Sequence, residues 1–128
     1  MLNFTRKPRY DYNDLLEIVR LLRSAEGCPW DRVQTHQSIR RGLLEEAYEA
    51  AEAIDTENTA LLREELGDAL FILCKIAQMS GVDPEDALHR ACDKYQGRFR
   101  RVADAADRPL NAYTEAEKIA LWEQAKEN

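Results

Sequence analysis

The sequence predicts an all-α fold, and two observations support this class. Apolar residues recur at spacings of three and four along several long segments, which is the pattern of amphipathic helices. The five glycines and four prolines fall mostly at the joints between those segments, and no strand of useful length competes. A chain of 128 residues, 45% of them apolar, can form one core but not two ordinary domains. We therefore expect a single domain, residues 1–128, built from four to five helices.

The first helix is expected from about Asn13 to Glu26, with Gly27 ending it. Its apolar stripe consists of Leu15, Ile18, Val19 and Leu22. The segment Gly27–Asp31 then reads as a loop. Within it, Asp31 is expected to cap a helix or to hydrogen-bond to a neighbour.

The second and third helices are expected on two longer segments with helical apolar periodicity. The second should begin after Thr35 or Ser38 and end near Asp55. The third should span about Asn58–Met79 and stop at Ser80-Gly81. If the two helices pack antiparallel across this short connection, the acidic edges that they carry can meet.

Two further helices complete the expected fold. Asp83 is a candidate N-cap with Pro84 at the first helical position, and this fourth helix should continue to about Ala106. After an irregular link, Thr114 and Glu117 have the spacing of a capping box for a short last helix.

Gly67 lies inside the third helical pattern, where glycine costs about 1 kcal/mol relative to alanine. We expect another helix or a ligand to approach the backbone there. Gly42 and Gly97 indicate the same more weakly.

Composition excludes several classes of protein. The 18 Lys and Arg against 24 Asp and Glu give a formal charge of -6, which argues against binding to nucleic acid polymers or an anionic membrane. No apolar run approaches the length needed to span a bilayer, and the N-terminus lacks the hydrophobic segment of a secretory signal, so the cytoplasm is the expected location. The three cysteines, Cys28, Cys74 and Cys92, are expected to be reduced thiols rather than a disulfide or zinc set.

Two acidic clusters dominate the second and third helices. Glu46 and Glu49, and likewise Glu65 and Asp68, stand three residues apart, so each pair lies on one helix face. Four carboxylates meeting between antiparallel helices would repel one another unless a cation or protons neutralised them. Magnesium prefers such oxygen ligands, whereas the two histidines have no ligand-like spacing. Spacing alone leaves a solvated acidic face about as probable as a metal site.

Four runs of sequence carry a more specific signal, and together they resemble the MazG nucleoside triphosphate pyrophosphohydrolases. The resemblance covers about Leu15 to Lys126. The runs are Gly27-Cys28-Pro29-Trp30-Asp31, Gln34-Thr35, Leu44-Glu45-Glu46-Ala47-Tyr48-Glu49 and Arg63-Glu64-Glu65-Leu66-Gly67-Asp68.

The resemblance implies hydrolysis of a nucleoside triphosphate to the monophosphate and pyrophosphate. It implies Mg²⁺, with Mn²⁺ as a substitute, held by four carboxylates: Glu46, Glu49, Glu65 and Asp68. A metal-activated water would attack the α-phosphorus. Either Glu45 or a metal-bound glutamate such as Glu46 would orient or deprotonate that water, and spacing does not choose between them.

Substrate contacts are expected from the later helices and from the loop. Lys94 and Arg98, four residues apart, match a lysine and an arginine of the family and would bind phosphates, although a salt-bridged surface is the alternative. Trp122 and Lys126 resemble nucleotide-contacting positions, with helix docking as the alternative for Trp122. Trp30 would stack on a base or act as a hydrophobic plug. The chain departs from the family after the lysine, where Gly97-Arg98-Phe99-Arg100-Arg101 replaces an Arg-His-Pro-His-type segment.

Short helices leave apolar surface to cover, so we expect a homodimer whose helices form a larger bundle, as the family resemblance also implies. Two alternative functions stay open. One is a phosphoribosyl-ATP pyrophosphohydrolase, which the Cys-Pro-Trp-Asp run fits less well. The other is a noncatalytic helical module that binds a nucleotide or a protein.

Overall fold

The computed structural model describes residues 4–126, and every regular element in that range is helical, so the all-α prediction is confirmed. Five long helices and one of four residues follow one another, with a 3₁₀ turn at Leu110–Ala112. They are α1 (Tyr12–Leu22), α2 (Pro29–Arg32), α3 (His36–Asp55), α4 (Thr59–Met79), α5 (Pro84–Ala105) and α6 (Glu115–Lys126). None of the helices in this range combines the length and apolar character that crossing a bilayer requires.

The chain divides into two compact units, Met1–Pro84 and Glu85–Asn128. In the first, α3 packs along α4, and α1 also contacts α4. Its buried apolar residues are Val19, Ile39, Ala53 and Cys74. In the second unit Val102 and Ala125 are buried, and the Arg101 guanidinium donates to the Ala125 carbonyl at 3.0 Å. The prediction of a single domain stays a prediction.

Side-chain caps fix the starts of the helices that carry the acidic clusters. Thr35 and Ser38 form a reciprocal capping box at α3, in which each side chain accepts from the other residue's backbone N–H. Asn58 caps α4 by accepting from the Leu61 N–H at 3.0 Å. The predicted capping box of Thr114 and Glu117 is also present at α6.

The predicted end of the first helix is wrong. α1 ends at Leu22, and the chain folds back over that end, where the Cys28 N–H donates to the Leu22 carbonyl at 2.8 Å. A Cβ atom on Gly27 would lie 2.3 Å from the Leu22 carbonyl oxygen, so glycine is required by a close approach of backbone. The predicted loop after it is also wrong, because Pro29–Arg32 forms the short helix α2 with proline at its start.

A close approach of another helix, expected at Gly67 and more weakly at Gly42, is present at Gly42. A Cβ on Gly67 would meet no atom within 4 Å, whereas one on Gly42 would lie 2.7 Å from Ile72 Cδ1 on α4. Gly42 therefore allows α3 to approach α4 closely.

Candidate active site

The acidic clusters meet because α3 and α4 run antiparallel in a definite register. Three residues, Glu57 among them, separate the helices, and Glu57 adopts a left-handed φ of 52° that reverses the chain. Gly42 faces Ile72, and Glu49 comes close to Glu65, so residue numbers rise along α3 as they fall along the facing side of α4. This register places the predicted carboxylates along the line where α3 packs against α4, which we call the acidic seam.

Three of the four predicted metal ligands form a tight group. Glu46, Glu49 and Glu65 each offer one carboxylate oxygen, and these oxygens lie within 4.8 Å of one another. Asp68 stands outside this tight group, but its charge acts on both Glu46 and Glu65, and it lines the same pocket as Glu46.

Burial gives the group its electrostatic character. Glu65 is only 7% exposed, and one oxygen of Glu65 and one of Glu46 are buried without a hydrogen-bond partner. Burial, a hydrogen bond with Glu49 and the charges of Glu49, Glu46 and Asp68 raise the pKa of Glu65 to about 7. Burial and the charges of Glu49 and Asp68 also raise the pKa of Glu46.

These observations fit a hard divalent cation. Converging carboxylate oxygens are the ligand type that magnesium and manganese favour, and a bound cation would satisfy the two buried oxygens that lack partners. It would also offset the repulsion that, together with burial, raises the pKa values of Glu46 and Glu65.

A pocket of about 630 Å³ opens beside the acidic seam, within the first unit. Glu45, Glu46 and Asp68 line it, and so do two cations that the sequence did not bring to attention, Arg41 and Lys75. The remaining lining residues are Gln34, Ser38, Ile39, Gly42, Phe71 and Ile72. The pocket therefore has anionic, cationic and apolar walls.

Lys75 is held by an ion pair with Asp31. Its Nζ lies 2.5 Å from Asp31 Oδ1, and Asp31 is only 8% exposed on α2. Burial alone would raise the pKa of Asp31, but hydrogen bonds from Lys75 and Cys28 and the charges of Lys75 and Arg23 bring it below its ordinary value. Lys75 stands seven residues after Asp68, a spacing that returns to the same helix face. That spacing is the sequence signal that could have identified it.

The second unit contains three of the predicted substrate-contact residues, Lys94, Arg98 and Trp122. Tyr95 stacks on Trp122 with ring centroids 6.1 Å apart and planes 8° apart. The Lys94 ammonium lies 5.0 Å from the Tyr95 ring centroid, and the Arg98 guanidinium lies 5.7 Å from Tyr95 and 6.0 Å from Trp122. Tyr95, which links these groups, was not among the predicted site residues.

Two other predicted contact residues, Trp30 and Lys126, are exposed. Trp30 is 75% exposed on α2 and is not among the residues that line the acidic pocket. A buried hydrophobic plug therefore does not describe it. Lys126 is exposed and pairs with Glu123 at 3.0 Å within α6.

Fold and site define a class: an all-α domain in which two antiparallel helices present a carboxylate site suited to a divalent cation. Residues 34–103 match the model of the MazG nucleotide pyrophosphohydrolase domain, so the chain belongs to that family.

The similarity to known proteins extends beyond the segment that matches the family model. A Thermotoga maritima protein named nucleoside triphosphate pyrophosphohydrolase/pyrophosphatase MazG is 38% identical over 90% of this chain and 46% of its own length. The nucleoside triphosphate pyrophosphohydrolase of Escherichia coli K12 is 37% identical over 88% of this chain and 43% of its own length. The chain thus spans about half the length of these curated relatives. The crystal structure of a mazG-related protein from Thermotoga maritima superimposes with a TM-score of 0.65 at 28% identity, covering 91% of this chain and 99% of that one.

Proposed function

We propose that this protein hydrolyses nucleoside triphosphates, ribo- or deoxyribonucleotides, to the nucleoside monophosphate and pyrophosphate in a Mg²⁺-dependent reaction. The observation that carries the proposal is the set of three carboxylate oxygens within 4.8 Å, two glutamates of which have a buried oxygen without a partner. The names of the relatives from Thermotoga maritima and Escherichia coli support the same reaction.

Glu46, Glu49, Glu65 and Asp68 would hold the cation, with Mn²⁺ able to replace Mg²⁺. When bound, the cation would screen the phosphate charges and lower the pKa of a coordinated water. Because Glu65 is only 7% exposed, bulk water would have little access to a cation bound at its carboxylate.

The water oxygen forms a bond to the α-phosphorus as the bond to the bridging oxygen of pyrophosphate breaks. Its proton needs an acceptor in the pocket. Glu45 lines the pocket beside Glu46, one position earlier on α3, and is exposed to solvent. We assign the proton to Glu45, with Glu46 as the metal-bound alternative.

Substrate recognition is assigned to the second unit and to α2. Lys94 and Arg98 would bind phosphates, and the aromatic faces of Tyr95 and Trp122 hold both cations near one place. Trp122 and Trp30 offer indole rings for stacking on a base, and Lys126 would contact the nucleotide. A nucleotide substrate fits the expected cytoplasmic location, which stays a prediction.

We further propose that the protein is a homodimer. Leu66, Leu70 and Leu73 lie along one side of α4 and are each at least 50% exposed. Three large apolar side chains in one stripe are typical of a helix face that packs against another protein surface. A second copy would cover them by forming the larger helical bundle expected from the sequence.

Product analysis tests the proposed reaction. Purified protein with Mg²⁺ should release equal amounts of monophosphate and pyrophosphate, and Glu49→Gln or Asp68→Asn should lower kcat by at least about 100-fold if metal and water positioning are lost. The matched controls are Glu52→Gln on α3 and Glu64→Gln on α4, both exposed and outside the tight group. Release of orthophosphate without pyrophosphate, or full activity in the two ligand variants, would contradict the proposal.

A further inference from the structure

The ion pair between Lys75 and Asp31 has a position that stability alone does not explain. The Lys75 side chain is 22% exposed and lines the pocket, whereas the Asp31 side chain is 12% exposed and belongs to α2. The ammonium also lies 5.3 Å from the centroid of the Phe71 ring. Burying a charged pair costs desolvation that an apolar pair of similar volume would avoid.

The location of Lys75 on α4 explains why its ammonium needs a partner such as Asp31. Lys75 follows Asp68 by seven residues, about 10.5 Å along the axis of α4, and helical side chains lean towards the N-terminus. A free ammonium there would be drawn to the carboxylates and would compete with a cation for them. The Asp31 carboxylate instead holds the ammonium in an ion pair, which opposes that competition.

The pocket also needs positive charge of its own. A polyphosphate that enters it meets Glu45, Glu46 and Asp68, and one divalent cation does not offset both these carboxylates and the phosphates. Lys75 has three N–H donors, of which one is directed to Asp31, so donors remain for an anionic oxygen. The ion pair holds those donors in place before a ligand arrives.

We propose that Lys75 is a substrate-contacting residue that donates to a phosphate oxygen of the polyphosphate, and that Asp31 is the residue that positions it. This inference rests on the proposed function, because it assumes a polyphosphate in the acidic pocket. It adds a phosphate contact within the first unit to those assigned to Lys94 and Arg98.

Calorimetry with inorganic triphosphate in the presence of Mg²⁺ provides the first test. Lys75→Met should weaken triphosphate binding by at least about ten-fold, the loss expected for one charge-assisted hydrogen bond. Binding of Mn²⁺ alone should be unchanged in this variant. Asp31→Asn should weaken the binding of triphosphate and also the binding of Mn²⁺, because the released ammonium moves towards the carboxylates. Lys118→Met is the matched control, since it removes a lysine from an ion pair in α6, and should bind as the wild type does.

Steady-state kinetics provide the second readout. Lys75→Met should raise KM by a similar factor for every nucleoside triphosphate, and Lys75→Arg should restore most of the affinity. If Lys75→Met fails to fold because Asp31 is left unpaired, the double variant Asp31→Asn with Lys75→Met replaces it in both assays. Wild-type triphosphate affinity in the folded variant, or a loss of affinity confined to particular bases, would overturn the assignment. A wild type that binds triphosphate without releasing pyrophosphate would contradict the proposed function and leave the role of Lys75 intact.

Discussion

Among the carboxylates between α3 and α4, Glu65 is the most deeply buried, and one of its oxygens has no hydrogen-bond partner. Burial and its acidic neighbours raise its pKa to about 7, from an ordinary value of 4.5. The folded protein therefore binds a proton at Glu65 over a range of pH in which the unfolded chain has released it. The single side chain thus couples the stability of the fold to the chemistry of the site.

That coupling makes the stability of the cation-free protein depend on pH. With divalent cations removed by chelation, the contribution of Glu65 is full below about pH 4.5 and is lost as pH rises through about 7. The melting temperature should accordingly fall between pH 5.5 and pH 8, and Glu65→Gln should flatten the fall, whereas Glu52→Gln should not. Thermal denaturation at the two pH values measures both. A wild-type slope that Glu65→Gln leaves unchanged would show that Glu65 does not titrate in this way.

Addition of a divalent cation should restore the stability that is lost at pH 8. A ligand at about 100 times its Kd stabilises the folded state by about 2.7 kcal/mol, and Mg²⁺ should do so in the wild type but not in Glu65→Gln. The same denaturation experiment, repeated across Mg²⁺ concentrations, checks this. Equal stabilisation of both proteins would place the cation elsewhere.

Helical periodicity places Glu46 with Glu49, and Glu65 with Asp68, on one face of each helix, and the family resemblance implies that they are metal ligands, which stays a prediction. The same spacing argument could have placed Lys75 on the helix face of Asp68, but it does not show what holds Lys75 there. Its role depends on its contact with Asp31, which lies 44 positions earlier and on another helix. The burial of Glu65 could not be read either, since it depends on how closely α3 and α4 pack.

At the scale of elements, the close backbone approach at the end of α1 makes Gly27 indispensable. A Cβ atom there would lie 2.3 and 2.4 Å from two backbone oxygens, those of Leu22 and Leu21, neither of which can move without disturbing the helix end. We expect Gly27→Ala to lower the free energy of unfolding by at least about 2 kcal/mol. Chemical denaturation measures the change.

Gly67→Ala is the matched substitution and should have the opposite effect. No atom lies within 4 Å of the added Cβ, and alanine is favoured over glycine inside a helix by about 1 kcal/mol. Denaturant unfolding should therefore show α4 stabilised by up to that amount. Destabilisation would mean that another helix or a ligand approaches Gly67, as the sequence leads us to expect.

Helix starts could be predicted because capping is local. Thr35 with Ser38, Asn58, and Thr114 with Glu117 each act within one turn of the helix they begin. The end of α1 could not be predicted in this way. Helix-compatible residues continue past Leu22, but Arg23 donates to the Asp31 carbonyl and Arg32 donates to the Ala25 carbonyl, both at 2.5 Å. These contacts join residues seven or eight positions apart and favour the reversed chain over further helix.

At the scale of the whole molecule, the exposed leucine stripe of α4 predicts the oligomeric state. A homodimer should have twice the 14.8 kDa mass of the chain, and Leu70→Lys should convert it to a monomer, because a lysine at the centre of the stripe would be buried without a partner. Val33→Lys serves as the control, because Val33 is 72% exposed and lies outside the leucine stripe. Light scattering after size-exclusion chromatography gives the mass. A wild-type monomer, or a Leu70→Lys dimer, would contradict the proposed interface.

The proposed reaction consists of one bond-breaking event in the acidic pocket, the attack of water on the α-phosphorus. Hydrolysis in ¹⁸O-labelled water tests it most directly, with the products examined by mass spectrometry. The label should appear in the nucleoside monophosphate and not in pyrophosphate, and its incorporation should be lost in Asp68→Asn but not in Glu64→Gln. Label in pyrophosphate, release of labelled orthophosphate, or undiminished incorporation in Asp68→Asn would contradict the claim.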